Sequence, residues 1–441
     1  HHPGAGAFGA RLPVSYRKLT VRASRAVVLR VFLHPSYNKN MNPSGRISSS
    51  PRLKITPSLL KWARERSLLD FNTLARKTGV KPEVLQSWEQ GETAPTYRQA
   101  EKLAHALHIP FGYLFLSQPP FAPSAVPDFR RLPESQIGRF SPELESVLND
   151  AKRKQAWLHE WRVEEGFSPL PFIGKFSPED SPQTVAEQIR SVLDLPSPTA
   201  KGLYSWNEHL QKLVKHAEKA GIAVIRNGVV LSDNRRPLSV EEFRGFNLPD
   251  NYAPVIFINA QDSIAGQIFT LAHELAHLWI GAGGISNPLT ADNPLDTSET
   301  ERFCNRVAAE LLLPQNPFLE HWPSGTTTIP EILNAAQQLA REFKVSVPAV
   351  LLRACELNRL DAPLFRAAYE EIYRQVIPLR KKTGGGSFYA TWQARNSQTV
   401  VTEVLQALRQ GKILYRDAAR LLNTNLATLE KALNRMKTGR L

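Results

Sequence analysis

The chain has 441 residues, 42% apolar and 22% charged, an ordinary composition for folded protein and long enough for about three domains. Its two cysteines, Cys304 and Cys355, exclude a disulfide framework and point to a reducing, cytoplasmic compartment. No apolar run approaches the ~18 residues of a membrane-spanning helix, so no membrane partner is expected.

The formal net charge of +14 suggests nucleic acid, but the surplus is confined to the two ends. Residues 1–50 hold eight Lys and Arg and no acid, residues 51–120 carry +4, residues 121–375 carry −7 and residues 376–441 carry +9. We read 1–50 as a disordered leader. A basic, acid-free leader fits either an organelle transit peptide or a start assigned too early. The second is expected, with Met41 the initiator, and it removes seven of the fourteen charges.

Helical patterns begin after a Ser/Pro-rich stretch at Asn42–Pro51. Leu59, Leu60 and Ala63, then Leu74, Ala75, Val84, Leu85 and Trp88, recur at helical spacing, with breaks at Gly79, Gly91 and Pro95. A Pro-rich linker follows from Gln118 to Pro133. Residues 142–165 and 182–194 read as helices. Val224-Ile225 and Val229-Val230, flanking Gly228, and the run Ala253–Asn259 (APVIFIN) are the strand candidates. From Ser263 the pattern is helical almost to the end, with a hinge at Gly384–Gly386. These elements predict a mainly α chain with a small β-sheet, an α+β fold.

The sharpest local signal is His273-Glu274-Leu275-Ala276-His277. On a helix, residues i and i+4 share a face, so both imidazoles reach one metal ion and Glu274 stands beside it as the general base toward a water. Ile264, Ile268, Leu271, Leu275 and Leu278 give that helix a buried stripe, and Gly281 and Gly283 supply the stop. A catalytic zinc site needs a third ligand. Glu301, 24 residues beyond His277, is the candidate, on a segment whose buried face is Phe303, Val307, Ala308 and Leu311. Asn305, one turn on, is placed to orient a ligand imidazole. The competing role for Glu301 is a capping box with Ser298, although Asp296 and Glu299 offer a similar arrangement. Glu310 lies about 180° round the helix and is a poorer candidate.

At these residues the sequence resembles the ImmA/IrrE family of zinc metallo-endopeptidases, through FTLAHELAHL, then E-R-x-C-N-x-x-A-A-E-L-L-x-P, and the upstream EEFRGF…APVIFIN segment (Glu241–Asn259). It is similar to the long form of that family, in which an XRE/Cro-type helix-turn-helix precedes a zincin-like HExxH core. The resemblance implies one Zn2+ ion held by His273, His277 and Glu301, with Glu274 as general base. It departs at Phe303, where many relatives have a second Glu. It implies a cytoplasmic, bacterial endopeptidase that cleaves a regulatory protein, an XRE-type repressor, and so controls stress, mobile-element or toxin-antitoxin genes. The expected organisation is the leader at 1–50, a helix-turn-helix domain at 55–118, a Pro-rich linker and helical region at 119–200, the metallopeptidase core at 201–320, a helical extension at 321–383 and a basic helical module at 384–441. Within the core, APVIFIN is either an edge strand that pairs with extended substrate or an ordinary buried strand.

Residues 58–116 carry the helix-turn-helix resemblance through LARKTGV (Leu74–Val80) and LQSWEQG (Leu85–Gly91). Lys81, Gln86 and Ser87 are its candidate DNA contacts. Phe71 stands where a Gln often opens the first of the two helices, and Glu83 and Glu89 would oppose a phosphate backbone. The domain is therefore either an operator reader or a protein-docking module. In the C-terminal module, Tyr415–Leu429 has the rhythm of two short helices across an Asn-rich turn, and its charge is either a solvated face or a nucleic-acid contact. Leu339–Leu352 has a similar rhythm and is expected to pack on the peptidase. The rival function is a DNA-binding regulator or antitoxin whose zinc site is structural or idle.

Overall fold

The computed structural model describes residues 51–67, 69–120, 140–196, 205–286, 298–325, 327–375 and 387–438. Met41 and its leader, most of the Pro-rich linker, Asp296 and Gly384–Gly386 lie outside them. Among the described residues no helix is long and apolar enough to cross a membrane.

The first helices follow the apolar spacing. α1 (Pro57–Arg66), α2 (Phe71–Thr78), α3 (Pro82–Gln90) and α4 (Tyr97–Ala106), with a 3-10 turn at Phe111–Phe115, enclose Leu60, Ala63, Leu74, Leu85, Trp88 and Leu103. α2 starts on Asp70, whose carboxylate accepts from the Thr73 amide, and stops at Gly79 with φ 72°. Pro82 then opens α3, where its missing N–H costs nothing. Phe71 lies under the Arg64 guanidinium, 4.3 Å from its ring centroid, and that guanidinium makes a two-pronged bond to Glu89 at 2.6 and 3.1 Å. Glu89 is thus neutralised within the domain, which removes one of the two expected repulsions toward phosphate.

α5 (Pro142–Glu164), α6 (Pro182–Val192) and α7 (Trp206–Lys219) come next. The strands are β1 (Ala223–Asn227), β2 (Val229–Val230), β3 (Asp233–Pro237), β4 (Gly245–Leu248) and β5 (Val255–Asn259), followed by α8 (Ile264–Trp279) and β6 (Gly284–Ser286). The remaining helices are α9 (Glu299–Leu312), α10 (Gln315–His321), α11 (Ile329–Phe343), α12 (Val347–Glu356), α13 (Ala362–Gln375), α14 (Phe388–Asn396), α15 (Gln398–Arg409), α16 (Tyr415–Leu421) and α17 (Leu426–Lys437). The protein is mainly helical with a small mixed sheet, as expected. β6 interrupts the helical run after Ser263, and β3, β4 and β6 are strands that the sequence reading did not identify.

The main sheet has the order β1-β5-β4-β6, with β1 parallel to β5 and the other pairs antiparallel. β5 lies inside it with both edges taken, so of the two alternatives for Ala253–Asn259 the ordinary buried strand holds and the substrate-pairing edge does not. Strand alternation divides the core into two layers. Val224, Ile256 and Ile258 face α8 and, with Leu339, Phe343, Val350 and Leu351 of α11 and α12, form one cluster. Ala223, Ile225, Phe246 and Phe257 face α5 and the C-terminal helices, with Trp392, Val400 and Val404.

The second layer is tied together by Arg162 of α5. Its guanidinium donates to both Glu403 oxygens of α15, the shortest bond 2.7 Å, and to the carbonyls of Gly221 and Tyr252 at 2.8 and 2.6 Å. Both side chains are buried, so removing one strands the other charge. Arg162→Met is expected to cost about 3–5 kcal/mol. The double variant Arg162→Met, Glu403→Leu is expected to recover much of that loss in urea denaturation.

Candidate active site

α8 begins at Ser263, whose hydroxyl accepts from the Gly266 amide, and ends before Gly281, which has φ 67°. Every residue from Gly266 to Trp279 is buried, so the helix is enclosed on all sides and not along a single stripe. His273 and His277 are fully buried and one turn apart, with their Nε2 atoms facing each other at 3.0 Å. α9 packs on α8 through Phe303, Val307, Ala308 and Leu311, and this brings Glu301 onto the pair. Its Oε2 is 3.2 Å from His273 Nε2 and its Oε1 is 2.9 Å from His277 Nε2.

The capping role and the site role of Glu301 fall to different atoms. Its backbone N–H donates to Ser298 Oγ at 3.3 Å, while its carboxylate turns inward to the histidines. Glu310 is directed away from the histidines, paired with Arg353 and accepting from the Gln315 amide at 3.1 Å. Asn305, one turn beyond Glu301, lies beside His273. Its Oδ1 and His273 Nδ1 are both buried without a completed hydrogen bond, yet the amide still adds to the basicity of that imidazole.

Burial works against charge on both partners, and their pairing outweighs it. Burial would lower the pKa of His273, but Glu301 above all holds it up. Burial would raise that of Glu301, but His273 and then His277 hold it well below the usual carboxylate range. The carboxylate is therefore ionised and acceptor-only, as a metal ligand must be. Cys304, buried next to this group, has its thiol pushed well above the ordinary value by burial and then by Glu301 and Glu274, so it does not compete as a thiolate.

His273, His277 and Glu301 are the group able to hold a metal ion among the described residues, with ligand atoms within 4.8 Å of one another. Bonds of ~2.0–2.1 Å in tetrahedral directions place ligand atoms roughly 3.3 Å apart. The two Nε2 atoms, 3.0 Å apart, fit that to within a few tenths of an ångström, and Glu301 presents one carboxylate oxygen to each, at 3.2 and 2.9 Å. Two nitrogens and a carboxylate are a donor set suited to zinc.

Glu274 is fully buried beside this group. Asn247 of β4, a residue the sequence reading missed, donates through Nδ2 to Glu274 Oε2 at 2.7 Å. On β4 the apolar Phe246 and Leu248 face the other layer, so alternation turns Gly245 and Asn247 toward α8. A Cβ at Gly245 would meet Thr270 Cγ2 at 2.5 Å, the Phe257 carbonyl at 3.0 Å and Glu274 Oε1 at 3.1 Å. Only glycine lets the strand come this close to the helix. The signal available in the sequence was the small and polar pair set between two apolar residues in Gly245–Leu248.

In the N-terminal domain, Lys81 and Gln86 are exposed on α3 and at its start. Ser87 is half-buried, with its hydroxyl bonded to the Val84 carbonyl and shared with Thr93.

Residues 217–354 match the peptidase M78 family model described as an IrrE N-terminal-like domain, and residues 60–114 match a helix-turn-helix model. No curated protein matches the chain. The first match contains His273, Glu274, His277, Glu301 and Asn247, and it indicates a metallopeptidase.

The convergence predicts one divalent ion per chain in purified protein, measured by plasma mass spectrometry. His277→Ala and Glu301→Ala are expected to lose it, while Cys304→Ala keeps it.

Proposed function

We propose that this chain, which joins an N-terminal XRE-type helix-turn-helix domain to an IrrE/ImmA-type metallopeptidase domain, is a zinc-dependent endopeptidase that cleaves a regulatory, repressor-type protein. The observation that carries the reading is the buried Glu274 carboxylate, set beside a His-His-Glu donor group and fixed by Asn247 through one oxygen. A structural zinc site has no use for such a group, because it closes its coordination with four Cys or His ligands.

His273, His277 and Glu301 would hold one zinc ion, with Asn305 steering His273. That ion supplies Lewis acidity, which lowers the pKa of a water toward neutrality and polarises the scissile carbonyl. The steps of proton transfer belong to this chain. With Oε2 held by Asn247, Glu274 takes the water proton on Oε1 and later returns it to the leaving amine. Asn247 prevents the carboxylate from rotating away from the histidine face. Enclosure of α8 excludes bulk water, which strengthens each of these interactions.

β6 pairs with β4, placing Gly284 opposite Asn247. An extended substrate added at the outer edge of β6 would therefore run beside Glu274, with main-chain hydrogen bonds supplying affinity and the neighbouring pockets supplying sequence preference. A helix-turn-helix on the same chain supports a substrate encountered at DNA. We assign its DNA contacts to Lys81 and Gln86, which α3 leaves exposed. Ser87 is the weaker member of the set because its hydroxyl is engaged within the domain.

Glu274→Gln preserves an oxygen for Asn247 but cannot accept the proton. It is expected to retain zinc and to lower peptidase turnover by about 10²–10⁴. If this variant still relieves repression with zinc bound, the reading as an enzyme fails and a regulator with an idle zinc site replaces it. For the N-terminal domain, Lys81→Ala is expected to weaken DNA binding and flatten its salt dependence by about one unit of slope, read by fluorescence anisotropy. An unchanged slope would instead favour a protein-docking role.

A further inference from the structure

A cavity of about 700 Å³ opens where the parallel strands β1 and β5 end, and it is separate from the His273 group. Its floor is Gly228-Val229 and Ala260-Gln261, its walls are α7 and α14, and its size lies in the range of small-molecule sites. The carboxyl ends of parallel strands are a common place for ligands to bind, because the chain diverges there and leaves a crevice.

The charges around the cavity are unbalanced. Lys215, Arg226 and Arg395 line it against a single carboxylate, Glu218. Glu218 is already engaged, accepting from Ser397 Oγ at 2.6 Å and from the Thr399 amide at 3.4 Å. Arg395 donates to Asn234 Oδ1 at 3.0 Å, a neutral partner. Arg226 is mostly buried on β1, and no hydrogen bond, ion pair or ring contact engages its guanidinium among the described residues. Burial pulls both arginines below their ordinary pKa with nothing to offset it. Residues 197–204 and 376–386, the stretches that precede α7 and α14 outside the described residues, contain no Asp or Glu that could serve as partner. A mostly buried guanidinium with no counter-charge among the described residues costs stability unless something else supplies one.

We propose that this cavity binds a phosphorylated small molecule of nucleotide size, its phosphate paired with Arg226 while Arg395 and Lys215 supply further positive charge. Three cations and one carboxylate leave a net +2, which matches the roughly −1.5 to −2 of a phosphate monoester at neutral pH better than a single carboxylate. Guanidinium forks also fit phosphate oxygens two at a time. The amides of Gln211 and Gln393, and Oε1 of Gln261, whose Nε2 donates to the Gly228 carbonyl at 2.7 Å, line the cavity beside the organic body of the ligand.

The test uses the full chain and calorimetric titration with AMP, adenosine and inorganic phosphate. AMP or phosphate is expected to bind and adenosine is not. Arg226→Gln and Arg395→Gln are each expected to weaken binding at least tenfold. Arg235→Gln, exposed and paired with Asp233 outside the cavity, is expected to leave it unchanged. Circular dichroism checks each variant, and Arg395, only half-buried at the end of α14, keeps Arg395→Gln usable if Arg226→Gln does not fold. The proposal is overturned if neither AMP nor phosphate binds, if adenosine binds as tightly as AMP, or if a folded arginine variant binds as tightly as the parent. This last result would place the anion outside this cavity.

Discussion

Two imidazoles and two carboxylates buried in an apolar layer are the constraint around which the central fold is arranged. None of His273, Glu274, His277 or Glu301 is more than 4% exposed. Each would be costly there alone, so each is matched by another: Glu301 by both histidines, Glu274 by Asn247. The pairs come from three separate chain segments, and they meet only if β4, α8 and α9 take up one mutual packing. Gly245 shows how tight that packing is, since a single methyl group would meet the backbone of β5 and the side chains of α8. The site and the core are therefore one object, and the chemistry is fixed by the same contacts that bury Phe303, Leu275 and Ile258.

This explains which parts were legible in the sequence. His273, Glu274 and His277 lie within one helical turn, where the 3.6-residue period alone decides which side chains share a face. Glu301 could be identified because it stands on a second helix whose apolar stripe had to be buried against the first. Asn247 could not, because its partner is 27 residues away and its strand has only four residues, too few for alternation to be distinguished from chance. Whether Ala253–Asn259 was an edge or an interior strand stayed open for a related reason. A run of Val, Ile and Phe announces a buried strand, but its neighbours are set by the whole sheet, and β4 and β6 on its far side are short and carry Gly and Asn.

Charge was misread in the same way, and in both directions. Glu89 looks repulsive toward phosphate until Arg64, 25 residues earlier, is seen to hold it. The basic C-terminal stretch looks like a bare cationic face, yet several of its charges are engaged. Lys412 pairs with Glu165 and lies 5.3 Å from the Trp161 ring, and Arg435 covers Tyr389 at 4.2 Å. Arg226, by contrast, sits in the acidic middle of the chain and lacks a carboxylate among the described residues. A segment's net charge predicts neither where its charges point nor which are already matched.

The two edges of the main sheet are treated differently, and this asymmetry gives the fold a direction. An unpaired edge is a template for another chain and must be covered or used. At β1, α14 and α15 pack along the strand, and Trp392, Val400 and Val404 join the apolar cluster under Ile225 and Phe257. The C-terminal helices thus complete the second layer of the sheet that carries Asn247. At the opposite end β6 is only three residues long, too short to template aggregation but long enough to offer two or three main-chain bonds. Among the described residues this leaves β6, the edge next to Asn247 and Glu274, as the place proposed for an extended chain to add. Since β4 lies between β6 and β5, any strand added there is held in register with the residue that orients the carboxylate. Recognition of an extended substrate and alignment of the base would then share one set of backbone hydrogen bonds, so a substrate that pairs out of register would also be misplaced for proton transfer.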